Sequence, residues 1–174
     1  RFRHNASLAY TCQQSNGVPL GVESATTQVL WGRPWVARAY NALPGSLVTL
    51  AFGTQESCSW AGMTLPQDLG LAGASGCFLS IDLAVVYYGV ALPNGSISFP
   101  FLIPNNPAVL GEWLRFQAGT FDASANALGL VTSQAQKVQV CGWEPVGRVW
   151  SNGISSALGT REIGVSAVVQ LTVQ

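Results

Sequence analysis

The residues in this chain that could do chemistry are few and badly placed for it. A nucleophilic serine or cysteine needs a base beside it, and the only histidine is His4, near the start. No G-x-S-x-G elbow occurs. Glycoside hydrolysis needs two flanking carboxylates. The eight on offer are Glu23, Glu56, Asp68, Asp82, Glu112, Asp122, Glu144 and Glu162, and nothing in their spacing pairs any two. No cofactor motif is present. The sequence therefore reads as a non-enzyme. Calcium at Asp122 with neighbouring carbonyls is the one metal reading. That ion wants ~6–8 oxygens, whereas the chain has three aspartates in all.

Cys12, Cys58, Cys77 and Cys141 form no C-x-x-C pair, so the usual zinc spacing is missing. An even count at wide spacing points instead to two disulfides and an oxidising compartment. Three connectivities exist. Cys58–Cys77, flanking one loop-like stretch, is the favoured pair and leaves Cys12–Cys141 to tie the start of the domain to its end. The alternative is four buried free thiols.

Six tryptophans invite a carbohydrate-binding reading, because sugars stack on exposed aromatic faces. The candidates are Trp31, Trp35, Trp60 and Trp143. Filling the core or an interface is the competing use of such rings. Trp31 and Trp35 flank Gly32-Arg33-Pro34, so they bracket a turn and do not line one strand face. The sequons Asn5-Ala6-Ser7 and Asn94-Gly95-Ser96 are as many as chance supplies, and in a bacterial protein they would stay bare.

Composition bounds the partners. Charged residues make up 9% of the chain, eight basic and eight acidic, and the only lysine is Lys137. Nucleic-acid binding needs clustered Lys or Arg, so it is excluded. A net charge of zero favours association. No run of roughly eighteen apolar residues is present to span a membrane as a helix. The start at Arg1 fits a secreted chain after signal removal.

The positioning elements are strands. β-branched and aromatic runs between Gly and Pro breaks predict strands over Thr27–Trp31, Trp35–Tyr40, Leu47–Phe52, Phe78–Asp82, Ala84–Val90, Ile97–Leu102, Trp113–Phe121, Lys137–Val140, Val146–Trp150 and Val165–Val173. A short helical turn is expected at Asn106–Leu110, capped by Asn106 with Pro107 first in the turn. Pro93-Asn94-Gly95 reads as a hairpin turn. The expected fold is an all-β antiparallel sandwich, jelly-roll or Ig-like, with a C-terminal extension strand. Residues 1–11 form an N-terminal arm, 12–142 the sandwich, and 143–174 an extension ending in an assembly or closing strand.

Several motifs have a familiar order. They are Leu65-Pro66-Gln67-Asp68-Leu69-Gly70, then Gly73-Ala74-Ser75-Gly76-Cys77, then Pro104–Gly111, then Phe116-Gln117-Ala118. Asp122, Ala125, Asn126, Gly129, Val131, Ser133 and Ala135 complete the set, and Cys12 with Asn16-Gly17-Val18-Pro19 opens it. Over residues 12–142 this resembles an uncharacterised secreted domain at the C-termini of large extracellular proteins of planctomycete-like and myxobacteria-like bacteria. The resemblance implies extracellular placement and a β-sandwich, and no activity. Read physically, Asp68, Asp122 and Asn126 would accept local backbone N–H bonds in turns.

The last segment carries the sharpest pattern. Val165, Ala167, Val169, Leu171 and Val173 hold every odd position, while polar residues hold the even ones except Val168. Period two makes one apolar face. Burying its three valines and one leucine is worth on the order of 6–12 kcal/mol at most. Either the strand closes its own sandwich, or it inserts into a neighbouring subunit as in donor-strand pilins. The N-terminal arm could serve likewise but alternates less cleanly. The leading expectation is a structural subunit of an extracellular filament or surface assembly, a homopolymer built by strand exchange. The alternative is a secreted carbohydrate-binding or adhesive module that takes an extracellular glycan.

Overall fold

Val, Ile, Tyr, Phe and Thr fit a pleated surface, and the runs that hold them are strands. In a computed structural model the described residues are 6–8, 12–26, 29–57, 59–142, 147–150 and 160–163. The strands in chain order are β1 (Ala6–Leu8), β2 (Gly21–Ser24), β3 (Val29–Leu30), β4 (Pro34–Tyr40), β5 (Leu47–Gly53), β6 (Ser59–Trp60), β7 (Met63–Thr64) and β8 (Gln67–Asp68). Then come β9 (Phe78–Leu79), β10 (Val85–Val90), β11 (Ile97–Leu102), β12 (Trp113–Phe121), β13 (Leu130–Cys141), β14 (Gly147–Trp150) and β15 (Thr160–Ile163). The chain is nearly all β, with antiparallel sheets in the manner of a sandwich.

Two compact units divide it, Arg1–Cys141 and Gly142–Gln174. In the second, β14 and β15 form an antiparallel pair, Gly147 opposite Ile163. The expected assembly strand (Val165, Ala167, Val169, Leu171, Val173) lies outside the described residues, as do Trp143 and Cys58. In the first unit the large sheet has the order β1-β13-β12-β5-β10, with β3 also alongside β13, and the smaller sheet has the order β11-β4-β2. The N-terminal arm thus contributes β1 to its own sheet, Ala6 opposite Lys137.

Between the sheets lie Leu20, Val22, Trp35, Val48, Leu50, Phe116, Val131 and Val140, all essentially inaccessible. Trp35 is the hub: its ring meets Phe116 edge-on at 5.3 Å and Phe52 at 5.9 Å. Its indole N–H donates to the Ser24 hydroxyl at 2.9 Å, which satisfies the ring's one polar atom in place.

The other face of the large sheet is roofed in its middle by the segment running through β8 and β9. Ile81 is fully buried there against Ala51 and Ala135. Gln117 fastens this roof. Its amide donates to the carbonyls of Phe78 and Ser133, both at 2.8 Å, and its carbonyl oxygen accepts the Ser80 N–H at 3.0 Å. The β12–β13 register shifts between Gln117 and Gly119, and the Ser133 hydroxyl accepts the Ala118 N–H at that irregularity.

Three expectations need correction. First, the disulfide joins Cys12 to Cys77, and Cys141 is a free, half-buried thiol. The pairings Cys58–Cys77 and Cys12–Cys141 are therefore wrong. The reason is the length of β13, which starts at Leu130 and not at Lys137. Cys12 sits at its beginning, donating its N–H to the Thr132 carbonyl. Cys141 sits nine residues further along, roughly 30 Å away at strand rise. Second, Pro93-Asn94-Gly95 does make a tight turn, with Gly95 at φ 73° and its N–H bonded to Leu92. It is not a hairpin within one sheet, because β10 pairs with β5 and β11 pairs with β4. Third, two expected strands shrink: of Thr27–Trp31 only Val29–Leu30 is one among the described residues, parallel to β13, and of Phe78–Asp82 only Phe78–Leu79 is, because the chain turns over the sheet after it. The turn at Asn106 is as expected: its side chain accepts the Ala108 N–H at 2.9 Å at the head of a single 3-10 turn, Pro107–Val109.

Candidate functional site: the open mouth of the sandwich

Asp82, Asp68, Glu23, Glu56 and Asp122 are all engaged in structure. Asp82 accepts the N–H groups of Thr54 and Gln55 at 2.7 and 2.6 Å. Asp68 accepts that of Gly70 at 2.7 Å. Glu23 pairs with Arg38 across β2 and β4. Glu56 bridges Lys137 at 2.7 Å and Arg115 at 3.4 Å. Asp122 takes the Ser15 N–H at 2.7 Å and the Ser124 N–H at 3.1 Å. Burial alone would raise the Asp122 carboxyl. The hydrogen bonds from Ser15, and then from Ser124 and Ala125, outweigh it and hold the group below the ordinary carboxylate range. Asn126 likewise holds its turn, exchanging bonds with the Leu130 backbone. Among the described residues no three His, Cys, Asp or Glu side chains cluster as metal ligands.

The described tryptophans of the expected stacking set differ in burial. Trp35 is 1% exposed, so its expected stacking role is corrected to a core role. Trp31 is half-buried and packs against the same core. Trp60 is half-buried in the β6–β7 hairpin. Asn94 of the second sequon shapes its turn, accepting from the N–H and hydroxyl of Ser96. Asn5 lies outside the described residues.

The feature left without an internal purpose is β10. Among the described residues its one partner is β5, Val85 opposite Phe52 through Val90 opposite Leu47, which leaves the other side of its ladder an edge. Its side chains are exposed on both faces: Tyr88 by 67%, Val90 by 60%, Val85 by 49% and Tyr87 by 43%. Edge strands are ordinarily guarded by charge, by Pro or by shortness. Here β10 has six residues, none of them charged and none Pro. Its counterpart across the mouth, the β11 edge of the smaller sheet, does carry Pro100.

Between β10 and β11 lies an apolar groove. The groove, about 190 Å³, is walled by Trp35, Phe52, Tyr87, Phe101, Ile103 and Leu114, with Val85 at its lip. From the smaller sheet Phe101 reaches across to the large one, its ring centre 4.8 Å from that of Phe52 and 4.9 Å from that of Tyr87. On the outer face a second hollow of about 250 Å³ runs beside Leu83, Val86, Tyr88, Phe121 and Leu130, also almost wholly apolar. Gly89 lets the strands converge at the closed end of the mouth, since a Cβ there would strike Ile97.

One signal in the sequence could have located this surface. Residues 83–111 carry no charged side chain, and both mouth strands fall inside that stretch. Sequence reasoning placed β10 and β11 but had no means of seeing which strand is an edge. No protein-family model matches the chain, and no curated protein matches it. No described helix is long and apolar enough to cross a membrane.

Proposed function

We propose that this chain is a structural subunit of an extracellular assembly, polymerising by strand exchange between copies. The observation that carries the proposal is the bare, apolar β10 edge, a ready template for an added strand. An apolar surface of this extent marks an interaction site on a protein with so few charges. The disulfide supports an oxidising, extracellular setting, in line with the secreted domain that residues 12–142 resemble. A head-to-tail contact that does not close yields an open filament.

Sedimentation velocity of the purified chain over a range of concentrations tests this. A ladder of oligomers growing with concentration is expected, and monomers at every concentration refute it. A second reading, a glycan-binding module, draws on Tyr88 and Phe121, whose rings are more than half exposed beside the outer hollow. Monomers whose oligosaccharide affinity disappears in Tyr88→Ala would favour that reading instead.

A further inference from the structure

Resting on the assembly reading, we infer that the groove between β10 and β11 is the acceptor for residues 164–174 of a second copy. That segment adds to the free edge of β10 and turns the apolar face of Val165–Val173 onto Tyr87, Phe52 and Phe101.

Four observations converge on this occupant. The β10 edge offers a row of outward N–H and C=O groups that the backbone of an added strand can pair in register. Six residues of edge extend roughly 20 Å, and an eleven-residue segment spans that with length to spare. The groove walls are aromatic and aliphatic, and they suit side chains arriving at alternate positions. Neither partner brings a charge into the contact, since residues 164–174 are as free of charged side chains as residues 83–111. A buried unpaired charge would otherwise forbid the contact.

The donor belongs to a second copy because the apolar exposure does not stop at the mouth. Tyr88, Val90 and Leu47 lie open on the outer side of the β10 edge, Phe121 lies beyond them, and Leu102 is 73% exposed at the end of β11. One strand laid in the groove leaves these bare. The body of a neighbouring subunit that brings the strand covers them.

Photo-cross-linking tests the assignment. Full-length chain carrying p-benzoylphenylalanine in place of Tyr87 is mixed in equal parts with heavy-isotope-labelled chain, irradiated and mapped by mass spectrometry. The expected adduct joins position 87 of one copy to residues 165–173 of the other, and it is lost when the labelled partner carries Leu171→Asp. Polymer whose adducts map to any other segment, or that gives none, overturns the acceptor site while the assembly reading stands. An adduct within one copy, or a chain that stays monomeric, overturns both. The same probe at Val85 reports on the same groove lip should the Tyr87 variant lose its native near-ultraviolet dichroism.

Discussion

Two regions of the large sheet are finished in opposite ways. Around the start of β13, polar and covalent ties accumulate. The Cys12–Cys77 bond crosses 65 residues of chain, Asp122 holds Ser15, and Asn126 closes its turn on Leu130. At β10 there is no charge, and among the described residues no covalent tie and no second partner strand. Turns and termini left to themselves fray, so the first region needs its ties merely to remain folded. The second has the β-propensity to be a strand without help. What it lacks is a neighbour on its open side. On the proposed assembly, the contrast separates residues that preserve the fold from residues that would join it to another copy.

Breaking the tied region gives the largest effect. Replacing both Cys12 and Cys77 by Ala is expected to lower unfolding free energy by about 4 kcal/mol, from the entropy released by opening a loop of this size. Cys141→Ala should cost under about 1 kcal/mol, because that thiol closes no loop. Denaturant titration of the two variants checks the pair. Equal losses would mean that the pairing is not Cys12–Cys77.

Asp122→Ala comes next, at about 2 kcal/mol near neutral pH, since it strands two N–H groups that now bond to a carboxylate. The folded-state pKa of Asp122 lies below its unfolded value of about 3.9. Its stabilisation is therefore fully present above that unfolded value and fades as pH falls from there through the folded one. Stability curves of wild type and variant should converge on acidification below about pH 4. A constant gap across that window would show that the carboxylate charge contributes nothing.

The same contrast explains what could be read from the sequence. Ile97–Leu102 and Trp113–Phe121 are strands over the residues expected, and β4, β5 and β10 differ from expectation by a single residue at an end. These are local signals, of β-branched and aromatic residues between breaks. The Asp68, Asp122 and Asn126 bonds and the Asn106 cap were legible for the same reason: each bonds backbone within four residues. The first half of β13 was not legible. Thr132, Ser133 and Gln134 are polar, and Thr132 and Ser133 are satisfied in the strand by bonds from Phe78 and Gln117, which lie far off in sequence. The disulfide partner depended on that strand's true length, so it was lost with it. Trp35 looked like a possible stacking ring because exposure is a property of the packed sheets, not of the tryptophan. The status of β10 as an edge is a fact of strand order, which no local pattern carries.

On the proposed assembly, copies join along the open side of β10. Residue-resolved hydrogen exchange, recorded at low concentration and again in assembled material, tests it most directly. The β10 amides that point away from β5 should exchange fast in the dilute chain and become strongly protected on assembly, while those already bonded to β5 change little. Unchanged fast exchange at these amides in the assembled material, with protection gained along a different edge, would contradict it.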